Sequence, residues 1–479
     1  MKLTQPKLQA IVDEACAFFD TATSLSVSIW DGEDVTSAAA GYSNAETGAL
    51  ATPDTLYSIG SSTKAFTAAA IGILVDQGKI DLDEPVRKYI PEFKMYDEDV
   101  ARMLTVRDTL CHRCGLPRHD LAWVMQPDLD YRALVPLIQY LPPKWPLRYH
   151  FYYNNFMFIL ASVLVERVSG ESYDDFVKKN IFEPLGMNAS YVYADQIPDD
   201  DPRKSMPHDG KDHEFHVIPR MTLRNAAGAG SIYSSTPDMI KWLRFRLHGN
   251  EKVLSDKLRK EAQSPQMLIK EGEMFPWQFP ETVLSTYAMG WFVESYRDFT
   301  IIHHGGTVDG YRSMQLFVPG KDIAISALTN GNAPEATDSI AYKLVDVLLD
   351  QPDGDWFNRW KKITEEMKEE AEKGLQELKK KQEEGGVPFT IADYVGNFRH
   401  PGYGTLRLVD KDGELYTRVD SYDCPLICDE GDQFVLIVEA FGMPIPVTFK
   451  RDEAGKVTSV EIPFEPEMPD EPICFTRVE

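Results

Sequence analysis

The chain has 479 residues, 43% of them hydrophobic, which is enough for two or three packed domains. A formal charge of −25 repels nucleic acid and anionic membrane alike, so neither is expected as a partner. The six cysteines are thinly spread, which fits reduced thiols in a cytoplasmic protein, and no apolar stretch reads as a leader or a membrane span.

Leu8, Ile11, Val12, Ala15, Phe18 and Phe19 recur at helical spacing and predict an amphipathic first helix. Leu25 to Trp30 alternates into Asp31-Gly32, a hairpin signal, with a second strand from Val35 to Gly41. Tyr57 to Thr67 then sets Ser61 and Lys64 three residues apart at the start of an apolar helical run through Val75. Positions i and i+3 share a helix face, so the two side chains can meet. The free N–H groups of the first turn would face Ser61 and any anion formed there. A lysine becomes a base only when burial and nearby positive charge depress its pKa. S-x-x-K by itself is common by chance, and the plain alternative is a capping serine with an incidental lysine. The helix is apolar nearly all round, which marks it as buried and favours the nucleophile.

Asp81 to Pro85 leads to a short helix ending at Pro91, and Thr105 to Leu110 opens another, closed by Gly115-Leu116-Pro117. Cys111-His112-Arg113-Cys114 has metal or redox spacing, but a structural zinc site wants a second pair, and Cys424 and Cys428 fall in a separate β region. His208, His213 and His216 sit in a polar loop, a weak host for a metal. Tyr152-Tyr153-Asn154-Asn155 precedes a helix that Gly170 terminates, where the plain reading is an aromatic plug with a capping asparagine. Ser235-Thr236-Pro237-Asp238 starts a further helix. Three or four antiparallel strands follow between Tyr287 and Leu328. Within them, His303-His304-Gly305-Gly306-Thr307 lets a backbone pass close to a ligand. A helix from Glu335 to Leu349 closes this region.

Asp355 to Glu384 reads as a solvated helical linker with a thin apolar stripe (Ile363, Met367, Leu375, Leu378), ended by Gly385-Gly386. Beyond it, short alternating strands predict a small antiparallel barrel. The expected domains are therefore residues 1–352, a linker over 353–385, and 386–479.

Taken together, Ser61-x-x-Lys64, Tyr152-x-Asn154 and His304-x-Gly306 resemble the β-lactamase-related serine hydrolases, which include class C β-lactamases, D-Ala-D-Ala carboxypeptidases, D-aminopeptidases and esterases. Leu110 to Pro117 and Pro184-Leu185-Gly186-Met187 support the likeness, which covers roughly residues 8 to 350. The C-terminal segment is similar to the lipocalin-like β domain appended to some members. Two registers stay open, since Tyr153-x-Asn155 and His303-x-Gly305 also fit; spacing to Leu160 and to Gly310-Tyr311 favours Tyr152-x-Asn154 and His304. The resemblance implies an α/β (α+β) β-lactamase/penicillin-binding-protein-like fold, an antiparallel sheet flanked by helices with an all-helical region, and a C-terminal β-barrel.

It also implies a mechanism. Ser61 attacks a carbonyl while Lys64 and Tyr152 manage its proton, and Asn154 bonds Lys64 or the substrate. His304 lines the opposite wall, and the N–H groups of Ser61 and Thr307, beside Gly306, hold the oxyanion. No metal or organic cofactor is implied. Many relatives carry lysine where His304 stands, a fixed charge for a substrate carboxylate, so its absence ranks β-lactamase activity low. A small amide or short peptide, with a D-residue in view, ranks first as substrate and an ester second. A catalytically idle binding protein is the alternative of another class, and a homo-oligomer is left open.

Overall fold

The computed structural model describes residues 2–478 apart from 271, 275–278, 386–389, 421 and 439–442. Its centre is one antiparallel sheet. In chain order the strands are β1 (Ser24–Trp30), β2 (Val35–Asn44), β3 (Ala49–Leu50), β4 (Met267–Ile269), β5 (Thr282–Tyr287), β6 (Phe292–Tyr296), β7 (Phe299–Val308), β8 (Tyr311–Val318) and β9 (Ile323–Thr329). They lie side by side as β3-β2-β1-β9-β8-β7-β6-β5-β4, so the early hairpin joins the late strands through β1 and β9.

Strand β1 is buried at all seven positions, yet it alternates serine with apolar residues. The alternation still has a physical basis, because successive side chains point to opposite faces. Leu25, Val27 and Ile29 enter a core with helix α1 (Gln5–Phe18). On the other face the hydroxyls find partners. Ser24 and Ser26 Oγ lie 3.0 and 2.8 Å from the Tyr57 hydroxyl, and Ser28 Oγ lies 2.8 Å from Thr236 Oγ1.

That second face carries α2 (Thr63–Asp76), whose residues 63–74 are all buried, and α3 (Asn155–Ser169), packed against it and ended by Gly170 at φ 77°. Helix α4 (Thr236–His248) has Pro237 in its first turn, as the sequence predicts. Helix α5 (Pro334–Leu348) backs the first face, and α6 (Trp356–Gly385) begins with buried Trp356, Phe357 and Trp360 before turning charged. One expectation changes in detail: Thr105–Leu110 makes only a one-turn 3-10 helix over Arg107–Leu110. Ala288 to Trp291 is the turn between β5 and β6, with Gly290 at φ 76°. The predicted stop at Gly386 lies outside the described residues.

The C-terminal strands close into an eight-stranded antiparallel barrel: β10 (Gly396–His400), β11 (Gly404–Lys411), β12 (Glu414–Val419), β13 (Tyr422–Glu430), β14 (Gln433–Val438), β15 (Met443–Arg451), β16 (Val457–Ile462) and β17 (Ile473–Val478). Strands β10, β13 and β17 carry too little alternation, or a proline such as Pro425, to be legible beforehand. Closure removes the open edges that such short strands would otherwise present.

The barrel is docked on the segment just before α3. His119 Nδ1 lies 2.7 Å from the Tyr403 hydroxyl, Gln126 Nε2 donates to Gly402 O at 3.2 Å, and the Tyr152 hydroxyl bonds Glu467. Glu465, 6% exposed, faces His119, Tyr403, Asp120, Arg118 and Glu467. Burial pushes its carboxyl up to about 8, opposed by a hydrogen bond from the His119 backbone and by Arg118. An unfolded glutamate titrates near about 4.3. The protonated form therefore favours the docked state fully below that value, and this contribution is lost as pH rises through about 8. Thermal melts between about pH 5.5 and about pH 8.5 should show wild type losing several degrees more than Glu465→Gln. Equal slopes for the two proteins would remove Glu465 from this role.

Candidate active site

Ser61 sits in a one-turn 3-10 helix, Gly60–Ser62, that feeds directly into α2. The turn is fastened to the sheet at two points: Ser62 Oγ donates to His304 O at 2.9 Å, and Ser313 Oγ donates to Ile59 O at 2.7 Å. Contact is so close that a Cβ on Gly306 would fall 1.9 Å from Ile59 O, so only glycine fits there. A Cβ on Gly60 would meet Thr307 N at 2.8 Å, which measures how near that amide comes to the serine turn. Strand β6 pairs with β7 only over residues 299–303, leaving the Gly305–Val308 edge open on that side.

Lys64 is fully buried, and its Nζ has three oxygen neighbours: Ser61 Oγ at 3.0 Å, Asn155 Oδ1 at 2.7 Å and Ala229 O at 2.8 Å. Burial, reinforced by the Arg118 guanidinium and opposed by Asp120, holds the amine well below the ordinary lysine range. A neutral amine has two hydrogens. Asn155 Oδ1 and Ala229 O can only accept, so they take both, and the lone pair is left facing the Ser61 hydroxyl. The Asn155 amide is oriented in turn by Nδ2 donating to Asp120 Oδ1 at 2.8 Å, and Asp120 also receives Trp123 Nε1 at 2.8 Å and Arg118 Nε at 2.7 Å.

The tyrosine beside the serine is Tyr153. Burial pushes its phenol above the usual range, opposed by a hydrogen bond to Ser61, and Lys64 Nζ stands 4.7 Å from its ring centroid. This corrects the preferred register. Tyr152 points the other way, stacked on Trp145 at 4.7 Å with its hydroxyl on Glu467. Asn154 is the N-cap of α3, in extended conformation (φ −136°, ψ 119°), its Oδ1 accepting from Met157 N and its Nδ2 donating to Pro117 O at 2.6 Å. The plain reading of a capping asparagine thus describes Asn154, while Asn155, at the first helical position, reaches Lys64.

His304 faces this cluster and His303, one residue away, faces the opposite side of the sheet. His304 Nδ1 lies 2.6 Å from Gly305 O and Nε2 lies 3.0 Å from the Tyr287 hydroxyl. A carbonyl only accepts, so Nδ1 carries the hydrogen and Nε2 accepts from Tyr287. Both nitrogens are therefore engaged in the wall, as expected for a residue lining the site. Burial, with repulsion from Lys64, lowers His304 to about 3, so the ring is neutral near pH 7.

Arg118, Asp120, Glu465 and Glu467 were not singled out in the sequence. Arg118 stands 5.1 Å from the Tyr153 ring centroid with its side chain 43% exposed, at the mouth of the site. The preceding Leu116-Pro117 and the left-handed His119 (φ 50°) mark a shaped loop, but only the first of these is visible in sequence. Cys111 and Cys114 are buried free thiols pushed up to about 12 by burial, which makes them unreactive core residues. No described helix is long and apolar enough to cross a membrane.

Comparison with known proteins bears on the family and the fold. The Beta-lactamase family model matches residues 17–349, and a model described as a domain of unknown function (DUF3471) matches 382–477. Among curated proteins, the unguisins hydrolase ungD' of Aspergillus campestris is 28% identical over 95% of this chain and 88% of its own length. Protein flp of Staphylococcus aureus is 25% identical over 61% of this chain and 56% of its own. The octameric penicillin-binding protein homologue from Pyrococcus abyssi superposes with a TM-score of 0.63 at 22% identity, covering 98% of this chain and 99% of that one. The D-amino acid amidase from Ochrobactrum anthropi gives 0.59 at 22% identity over 72% and 96%. Those two likenesses concern the fold, while the family match spans the serine turn, the Lys64 helix and the whole sheet, and on that ground the chain belongs to the beta-lactamase family of serine hydrolases.

Proposed function

We propose that the protein cleaves a small amide or short peptide through an acyl-enzyme on Ser61. The observation that carries this is the Lys64 amine, buried, depressed in pKa and left with its lone pair toward the Ser61 hydroxyl. Lys64 takes the proton of Ser61 as Oγ attacks the carbonyl, and Tyr153, bonded to Ser61, passes a proton to the leaving nitrogen. The N–H groups of Ser61 and Thr307 receive the oxyanion, a contribution worth on the order of 10² to 10³ per donor. Water then clears the acyl group, with the same pair acting in reverse.

Substrate class follows from charge and space. A neutral His304 offers no fixed cation where a β-lactam carboxylate would need one, which disfavours that substrate. Arg118 stands at the mouth beside the Tyr153 ring, supporting a small substrate or a chain end over a folded protein. The relative named as a hydrolase of unguisins agrees with hydrolysis, and the fold shared with a D-amino acid amidase supports an amide as substrate.

A panel of D-aminoacyl and L-aminoacyl p-nitroanilides with a short-chain p-nitrophenyl ester tests the reading. Turnover of an anilide, with preference for one stereoisomer, is the expected result. Ester turnover alone would replace the amidase reading with an esterase, and inert anilides and esters together would sink both.

A further inference from the structure

The loop Arg118-His119-Asp120 joins the barrel to the Lys64 amine. His119 has a left-handed backbone (φ 50°, ψ 30°), a conformation that costs a residue with a side chain and persists only where its surroundings hold it. Both ring nitrogens supply that hold. Nε2 lies 2.9 Å from Pro142 O, and Nδ1 lies 2.7 Å from the Tyr403 hydroxyl of the barrel. A carbonyl only accepts, so Nε2 carries the hydrogen of the neutral ring and Nδ1 takes one from Tyr403. Burial lowers His119 to about 4, which keeps the ring neutral near pH 7. The Tyr403 oxygen is then left as an acceptor, 3.5 Å from Glu465 Oε1, and the protonated Glu465 carboxyl is the donor it faces.

On its other side the loop reaches the amine. Asp120 Oδ1 accepts from Asn155 Nδ2 at 2.8 Å, and Asn155 Oδ1 accepts from Lys64 Nζ at 2.7 Å. An amide that gives its hydrogen to Asp120 turns its oxygen toward Lys64, so the place of Asp120 decides which end Asn155 presents. Tyr403, His119 and Lys64 are fully buried.

We propose that the barrel is a positioning element for catalysis: Tyr403 and Glu465 hold His119 in its left-handed conformation, and His119 fixes Asp120 so that Asn155 keeps the Lys64 lone pair on Ser61. The effect on turnover rests on the hydrolase reading, while the hold on the amine does not. Removing the Tyr403 hydroxyl leaves Nδ1 an unpaired buried acceptor, which favours a loop that moves toward water. Asp120 moves with it, Lys64 is solvated and its pKa rises. Ionising Glu465 acts in the same direction, because a carboxylate draws the Tyr403 hydrogen away from His119. Asp120 and Glu467 also face Glu465 and favour its protonated form, opposed by Arg118 and the His119 backbone.

The test compares full-length wild type with Tyr403→Phe, Glu465→Gln and Tyr152→Phe. The last also removes one hydroxyl from the barrel junction but leaves His119 its partners. Lys64 titration is read by carbon-13 NMR of the lysine Cε, which needs no substrate. In parallel, kcat and KM are followed from about pH 5 to about pH 9 on whichever anilide or ester wild type turns over. Tyr403→Phe is expected to raise the Lys64 pKa and move the acid limb of kcat to higher pH. Near pH 7 it should lower kcat by about tenfold to a hundredfold with KM nearly unchanged. As Glu465 ionises through about 8, wild type should show a further shift of the Lys64 signal and a fall in kcat, and Glu465→Gln neither. A Lys64 titration unmoved in folded Tyr403→Phe, or moved equally in Tyr152→Phe, overturns the proposal. If Tyr403→Phe does not fold, the high-pH step decides, and its presence in both wild type and Glu465→Gln, or its absence from both, overturns it. Shifted Lys64 titrations in a protein that turns over nothing would sink the hydrolase reading and leave the hold on Lys64 standing.

Discussion

Ser61→Ala is expected to lower kcat/KM on any substrate the protein turns over by on the order of 10⁴ to 10⁶. The size follows from the way the parts depend on one another. Without Oγ, Lys64 has no proton to take and Tyr153 no leaving group to serve, so the proton-relay contribution disappears along with the nucleophile. What remains is binding and the oxyanion amides. The fold should hardly notice. Lys64 keeps Asn155 and Ala229, and the turn keeps the bonds of Ser62 and Ser313 to the sheet. Melting temperature measured beside kcat/KM should therefore stay nearly constant, and residual activity within tenfold of wild type would end the acyl-enzyme reading.

Tyr153→Phe and Tyr152→Phe should separate sharply. The first removes the hydroxyl bonded to Ser61 and should lower kcat by about 10² to 10⁴, the usual worth of a positioned proton donor. The second removes a hydroxyl that bonds Glu467 on the barrel, leaving the ring stacked on Trp145. It should change kcat by less than about tenfold and act, if anywhere, on KM and on the docking of the barrel. The asparagines divide the same way: Asn155→Ala should act on kcat through Lys64, and Asn154→Ala should cost about 1 kcal/mol of stability as a lost cap. Steady-state kinetics on the four variants, with thermal melts, provide the check. The reverse ordering of the two tyrosines would restore Tyr152 as the proton carrier.

Those pairs also mark the limit of what the chain reveals by itself. Ser61 and Lys64 were legible because three residues on a helix is a fixed geometry, and the long apolar runs of α2 and α3 announce burial. Most of the sheet was legible as strands, though not β3, β4 and β5, and five of the eight barrel strands as alternation with turns. The tyrosine and asparagine register was not, because it depends on where α3 begins. A shift of one residue decides whether an asparagine curls back on its own helix or projects from the first turn, and Tyr-Tyr-Asn-Asn accommodates both. The strand gave less trouble, since alternation sends His303 and His304 to opposite faces whichever is chosen. Arg118, Asp120, Glu465 and Glu467 left no periodic trace, since they meet only when a barrel loop some 300 residues downstream folds onto the serine side.

Strand β1 has a consequence for synthesis. Ser26 pairs with Leu328, so the middle of the sheet cannot close until that residue has emerged from the ribosome. At ~5 to 20 residues per second, the hairpin of β1 and β2 waits roughly 15 to 60 s with an apolar face and an unpaired edge exposed. During that interval it is open to pairing with other nascent chains. A chain built this way is expected to gain soluble yield from slower initiation or a holding chaperone more than from any added stability of the finished fold.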